Sequence, residues 1–194
     1  LQALRDLADE NDVLLIFDEV QTGVGLTGSF WAHQSIGVKP DIISFGKKTQ
    51  VCGILVSDRI HEVEDNVFQL ASRINSTWGG NLVDMVRFDR ILEIIEEDDL
   101  VANAASVGAV LQDRLRSLAE RYDFVKNPRG RGLMCAFDLP DVETRDRLRA
   151  VSFEKGLMIL GCGVSSLRFR PNLTITVPEL DEGLGILEDA LRAI

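Results

Sequence analysis

Three short apolar runs constrain the fold of this chain more than any other feature: Val13-Leu14-Leu15-Ile16-Phe17, Ile42-Ile43-Ser44-Phe45, and the stretch from Cys52 to Val56. A short run without polar alternation fits a strand buried on both faces, as in a mainly parallel sheet with helices on either side. The segments between the runs have other patterns. Leu1, Leu4, Leu7 and Ala8 share one helical face, and that helix should end near Asn11 and Asp12. Thr22-Gly23-Val24-Gly25-Leu26-Thr27-Gly28 is glycine-rich and reads as a loop. Residues 30–36 can form a short helix that Gly37 stops. Helix, strand, helix, strand is the signature of an α/β fold.

The later chain reads differently. Another loop spans residues 75–80, and a long helical stretch follows it, with Met85, Phe88, Leu92 and Ile95 on one stripe that reads as core. A break is expected within residues 97–99, after which Val107, Leu111, Leu115 and Leu118 continue the pattern. Short strands are expected at 132–139, 158–160 and 167–169, interleaved with helices. The final helix shows Leu180, Leu184, Leu187, Leu191 and Ile194 on one face, behind a capping box of Thr176 and Glu179 with Pro178 in the first turn. The change of pattern predicts a boundary between residues 90 and 105. Residues 1–95 then form the C-terminal part of a large α/β domain, and residues 96–194 a small α+β domain. Leu1 already lies inside a helical pattern, so the chain is expected to be a piece of a longer protein.

Composition narrows the function. The 194 residues include 21 Lys plus Arg against 31 Asp plus Glu, a net charge of −10. An acidic chain without a basic stripe is not expected to bind nucleic acid. With no run of about 18 apolar residues, no membrane span is expected either. Cys52, Cys135 and Cys162 are odd in number and have no metal-ligand spacing, which reads as reduced thiols in a cytoplasmic protein. His33 and His61 do not supply a two-His site, so no metal is expected.

Ligand sites in open α/β sheets gather at the carboxyl ends of strands, and Asp18 and Glu19 follow the first run there. A carboxylate at that place can meet a cofactor, or it can be a solvated turn or a helix cap. Lys47 follows the second run in the same way, behind Gly46. A strand-end lysine suits an amine nucleophile, although paired surface lysines are the commoner use of Lys47-Lys48. Strand alternation would let only one of the two reach a ring. An acid and an amine at the mouth of one sheet are what a pyridoxal phosphate site requires. Asn75-Ser76-Thr77-Trp78-Gly79-Gly80-Asn81 precedes a helix, a place receptive to phosphate or an ordinary helix start. Arg168 and Arg170 flank Phe169, should share a face, and could grip a carboxylate. Arg129-Gly130-Arg131-Gly132 reads as a tight, solvent-facing bend.

Taken together these segments resemble one family. Asp18-Glu19-Val20-Gln21-Thr22-Gly23, then Gly25-Leu26-Thr27-Gly28, then Pro40-Asp41-Ile42-Ile43-Ser44-Phe45-Gly46-Lys47 are similar to the signature of class III aminotransferases, pyridoxal-phosphate enzymes of fold type I. Ser76-Thr77-Trp78-Gly79-Gly80-Asn81 and Leu167-Arg168-Phe169-Arg170-Pro171 match two further motifs in order. More narrowly, residues 45–53, 75–78 and 129–137 resemble the lysine 6-aminotransferases. The resemblance implies that Lys47 forms the internal aldimine and shuttles the proton, that Asp18 pairs with the pyridine nitrogen, and that Gln21 contacts the phenolic oxygen. It further implies that Thr77 binds the cofactor phosphate of the partner subunit in a homodimer, and that Arg168 holds a substrate carboxylate. The implied reaction moves the terminal amine of L-lysine to 2-oxoglutarate, giving glutamate and an aldehyde that cyclises. Ornithine, acetylornithine or 4-aminobutyrate are alternative donors, and an inactive piece serving only dimerisation is the non-enzymatic alternative. Asn172 and Leu26 stand where many relatives have proline and arginine. The family's N-terminal half is absent from these 194 residues.

Overall fold

The computed structural model describes residues 1–74 and 77–194, which divide into two compact units. The first comprises Leu1–Val24 and Phe30–Asp98, the second Gly25–Ser29 and Asp99–Ile194.

In the first unit, α1 (Gln2–Glu10) leads to β1 (Ile16–Asp18), α2 (Ala32–Ile36) and β2 (Ile42–Phe45). A 3-10 turn (Lys47–Thr49), β3 (Gly53–Val56), a second 3-10 turn (Asp58–Glu62) and α3 (Leu82–Glu97) follow. Gly37 ends α2 in the left-handed conformation, φ 77°, as its sequence position predicts. The sheet runs β1-β2-β3, with β1 parallel and β3 antiparallel to β2, so it is mixed rather than mainly parallel. Burial on both faces is also corrected for the first run. Leu15 N–H donates to the Asp41 carboxylate at 2.7 Å and Val13 N–H to the Ala8 carbonyl at 2.8 Å, which leaves only three residues in β1. Val13, Leu14 and Ile16 remain exposed, as do Leu1, Leu4 and Leu7 on α1, because no described layer of this unit covers them.

The unit buries the aliphatic residues Ala8, Val24, Ala32, Val38, Ile43 and Ile95, and its aromatic rings pack on one another while half-buried. Trp31 meets Phe30 edge-on at 5.1 Å and Phe45 at 6.0 Å, and Phe45 stacks on Phe88 of α3 at 5.9 Å. The apolar stripe of α3 is therefore core only in part. Ile95 is buried, Phe88 and Leu92 are half-buried, and Met85 is exposed, with Phe88 packing on Phe45 at the end of β2.

In the second unit, α4 (Leu100–Arg121) precedes β4 (Lys126–Arg131), β5 (Met134–Asp138) and α5 (Val142–Glu154). Then come β6 (Leu160–Cys162), β7 (Ser166–Phe169) and α6 (Val177–Leu191). The sheet is antiparallel throughout, in the order β4-β5-β7-β6. β4 overturns the bend expected at residues 129–132, although Arg129, Gly130 and Arg131 do face solvent. Only Gly132 turns, at φ 53°, while Arg129, Gly130 and Arg131 pair with β5. β6 also starts two residues later than expected. Thr176 caps α6 in a capping box with Glu179, as predicted.

Period-2 alternation sorts the strands. Cys135, Phe137 and Leu167 face a core completed by Leu111, Leu115 and Leu118 of α4 and Leu184 and Leu187 of α6. Burial pushes the Cys135 thiol up to about 12, which leaves it inert at neutral pH. Ala136, Asp138, Ser166 and Arg168 occupy the other face. At the β4–β5 turn three backbones meet. Leu133 N–H donates to Leu26 O at 2.9 Å, and a Cβ on Gly132 would lie 2.4 Å from the Thr27 carbonyl carbon. A Cβ on Gly108 of α4 would in turn lie 2.2 Å from the Gly132 carbonyl carbon.

Gly132→Ala should therefore cost about 2–4 kcal/mol, from backbone collision and a left-handed φ together. Urea unfolding of the whole protein measures this. A midpoint unchanged from the parent would show that the contact relaxes freely.

Candidate active site

In the first unit the predicted site residues fall at the carboxyl ends of the parallel pair β1 and β2. Asp18 ends β1 opposite Ser44 of β2. Its Oδ1 accepts from the Ser44 hydroxyl at 3.0 Å and from Val20 N–H at 3.0 Å, which fixes an otherwise exposed carboxylate. Ser44 was legible only through pairing: it shares a register row with Asp18, so both side chains leave the same face of the sheet.

Glu19 turns inward and is 2% exposed. Its carboxylate accepts from Ala32 N–H at 2.7 Å, His33 N–H at 2.8 Å and the Thr22 hydroxyl at 3.0 Å, and lies 3.3 Å from His33 Nδ1. Of the two carboxylates after the first run, one is thus presented outward and the other anchors α2. Gln21 lies between these anchors. Its Nε2 is buried and has no hydrogen-bond partner among the described residues. An unmet buried donor costs about 1–3 kcal/mol, which an acceptor oxygen would recover.

Lys47 opens the turn after β2, is exposed, and has a left-handed backbone, φ 59°. β2 ends at Phe45, so strand alternation is not what separates Lys47 from Lys48. The separation comes from a hydrogen bond: Lys48 Nζ donates to the Gln21 carbonyl at 2.8 Å. That bond ties the loop after β1 to the turn after β2, and Lys47 keeps its side chain in solvent.

Thr77 is exposed in the turn before α3, whose cap is Asn81, its Oδ1 accepting from Val83 N–H at 3.0 Å. Asn75 and Ser76 of the same motif lie outside the described residues. In the second unit, Phe169 packs against Phe137 at 5.9 Å, and Arg168 leaves the opposite face of β7. Arg170 lies past the strand end and is exposed. Arg168 Nε is buried and unpartnered among the described residues. Arg168 also lines a cleft of about 350 Å3 with Leu160, Phe169 and Pro171.

An amine and a fixed carboxylate at one sheet edge, on this fold, define a class. The chain belongs to the aminotransferase class-III family, whose model matches residues 1–191. It is 54% identical over its whole length to an L-lysine-epsilon aminotransferase of Amycolatopsis lactamdurans and spans 43% of that protein. It is 37% identical over 97% of its length to the mitochondrial 4-aminobutyrate aminotransferase of Sus scrofa, spanning 37% of it. The structure of lysine aminotransferase from M. tuberculosis in the internal aldimine form superposes on 99% of the chain with a TM-score of 0.96 at 51% identity. The chain covers 44% of that structure. No described helix is long and apolar enough to cross a membrane.

Asp41, which enters the sequence reading only as part of a motif, proves to be a junction. Its Oδ2 accepts from Leu15 N–H at 2.7 Å and from Arg5 Nη1 at 2.8 Å, with Arg59 Nη1 at 3.6 Å. Burial raises its pKa, but the Leu15 N–H and the Arg5 guanidinium outweigh that and leave it below the ordinary carboxylate value. A depressed folded value means stabilisation that is complete above the unfolded value, near 4, and is lost as pH falls through the lower folded value. Asp41→Asn should cost about 1–3 kcal/mol at pH 7 and flatten the acid limb of stability below about pH 4. Urea unfolding across that pH range checks both, and an acid limb as steep as the parent's would remove Asp41 as its source.

Proposed function

We propose that the protein carrying this chain is a pyridoxal-phosphate-dependent aminotransferase that moves the terminal amine of L-lysine to 2-oxoglutarate, giving glutamate and an aldehyde that cyclises. The observation that carries this reading is the tied cluster of Asp18, Gln21 and the Lys47 turn at the ends of two parallel strands, with Gln21 Nε2 a buried donor lacking an acceptor. These residues fit the cofactor: Gln21 Nε2 would donate to an acceptor oxygen, Asp18 would pair with a protonated ring nitrogen, and the Lys47 amine would take an aldehyde. The greater likeness to lysine enzymes than to the 4-aminobutyrate enzyme supports lysine as donor.

The cofactor supplies an aldehyde that accepts an amine and a ring that draws electrons from the substrate carbon. Lys47 Nζ holds it and, once freed, carries a proton at the carbon bearing the reacting amine. Asp18, held by Ser44 and Val20, keeps the proton on the ring nitrogen. Gln21 donates to the phenolic oxygen. Thr77 lends its hydroxyl to the cofactor phosphate of the partner subunit in a homodimer. Arg168 cannot act as a base, because guanidinium stays charged, but its fork matches the substrate carboxylate. In this reading residues 1–95 are the C-terminal part of a large cofactor-binding domain, residues 96–194 are a small C-terminal domain, and the enzyme is soluble and cytoplasmic.

In the whole protein, Lys47→Ala should abolish the visible absorbance of bound cofactor, while Lys48→Ala keeps it. The reverse outcome transfers the role to Lys48. Arg168→Ala should lower kcat/KM for both lysine and 2-oxoglutarate about 30-fold or more, leave the absorbance intact, and barely affect cadaverine, which is lysine without its carboxylate. Equal losses for cadaverine and lysine would make Arg168 structural. A higher kcat/KM for ornithine, acetylornithine or 4-aminobutyrate than for lysine would replace the donor.

A further inference from the structure

The pair Lys47-Lys48 leaves one amine that the reaction above does not use. Lys48 is half-buried, and its Nζ donates to the Gln21 carbonyl at 2.8 Å, 27 residues back in the chain. A lysine side chain is among those that lose most conformational freedom when fixed, so a lysine settled on one carbonyl needs a firm base. This one has it. Gln50 N–H closes the 3-10 turn on the Lys47 carbonyl at 2.9 Å, and Thr49, 1% exposed, donates its hydroxyl to the Val51 carbonyl at 2.6 Å. A Cβ on Gly46 would lie 2.8 Å from Cys52 Sγ, so the approach to the turn is packed as well.

The segment that Lys48 grips is a turn held at both ends. Glu19 N–H donates to the Ser44 carbonyl at 2.9 Å, and Gly23 N–H donates back to the Glu19 carbonyl at 2.9 Å. The Thr22 hydroxyl adds a bond to the Glu19 carboxylate at 3.0 Å. Gln21 lies between these points with its carbonyl on Lys48. Its side chain ends in a buried amide whose Nε2 has no partner among the described residues. Several torsions separate that nitrogen from the backbone, so its direction depends on how firmly the peptide beneath it is fixed.

We propose that Lys48 is a positioning residue for the cofactor: its hold on the Gln21 carbonyl aims the buried Gln21 amide at the phenolic oxygen. This rests on the reading of Gln21 given above. A donor at that oxygen stabilises its anion, and does so most when the nitrogen by which Lys47 holds the cofactor has lost its proton. The bond therefore lowers the pH at which that proton leaves, and loss of the bond raises it.

The test follows the visible absorbance of the whole holoenzyme against pH. Lys48→Met, which keeps the stem and drops the donor, should retain the cofactor and raise the absorbance midpoint by about one pH unit. Gln21→Ala should raise it by about the same amount. The double variant should stay within about 0.3 pH unit of Gln21→Ala, because Lys48 acts through Gln21. Lys48→Gln, a shorter neutral donor, should raise the midpoint by about half a pH unit and serves if the methionine variant does not fold. Asp18, Glu19, His33 and Lys47, the titratable groups that the contacts above place at this edge, are unchanged in every variant. Were Lys48 to act only through its charge, its loss would move the midpoint as far in the Gln21→Ala background as in the parent. That result, or an unmoved midpoint in the variant that folds, overturns the proposal. Gln21→Ala, measured alongside, separates the two readings. If it leaves the midpoint unmoved, both fall; if it raises the midpoint while the Lys48 variants are silent, only this inference falls.

Discussion

A single buried carboxylate organises the edge of the first unit where β1 and β2 end. Glu19 gathers two backbone amides of α2 and the Thr22 hydroxyl, and its own N–H donates to the Ser44 carbonyl at 2.9 Å. Charge-assisted bonds to backbone amides are among the stronger polar contacts in a protein, and burial sharpens the cost of losing any of them. The chain between Asp18 and Gly23 thus has little freedom: one end is fixed to β2, the middle to α2, and Gln21 to Lys48. Asp18 faces outward because its neighbour faces inward. The chemistry of the edge is set by this division of labour between adjacent acids.

The second unit uses its sheet differently. One face is a continuous apolar core between β5, β7, α4 and α6, and the other carries Arg168 and the Arg129–Asp138 ion pair. The close approach of Gly108, Gly132 and the segment at Leu26–Thr27 fixes the β4–β5 hairpin on α4. That contact, together with the register shift between Lys126 and Arg129, determines which side chains of β4 stand over which residues of β5. Packing on the hidden face therefore governs electrostatics on the visible one.

Much of this was legible in the sequence because it depends on local chemistry. The capping box at Thr176, the stop at Gly37 and the strand from Ile42 to Phe45 each follow from residues within a few positions. Lys47, Asp18 and Gln21 were legible as a motif. What escaped depends on distant partners. The first apolar run reads as a buried strand, yet Asp41, 26 residues away, takes the Leu15 amide and shortens it. Arg129-Gly130-Arg131-Gly132 reads as a bend, yet its first three residues are a strand, since pairing with β5 overrides local propensity. Glu19 and Asp18 are adjacent acids, and only the position of α2 distinguishes them. Lys48 is set apart from Lys47 by a carbonyl 27 residues away, not by strand geometry.

The backbone at Lys47 has one more implication. A side-chain-bearing residue in the left-handed region carries a conformational cost of about 1–2 kcal/mol that glycine or asparagine largely escapes. Replacing this lysine by glycine thus relaxes the turn while deleting its amine. With Lys47 in the role proposed above, selection for abundance or for resistance to unfolding would not preserve it, whereas selection on turnover would. For a gene copy released from that demand, the drift from enzyme to inert paralogue runs downhill in folding free energy.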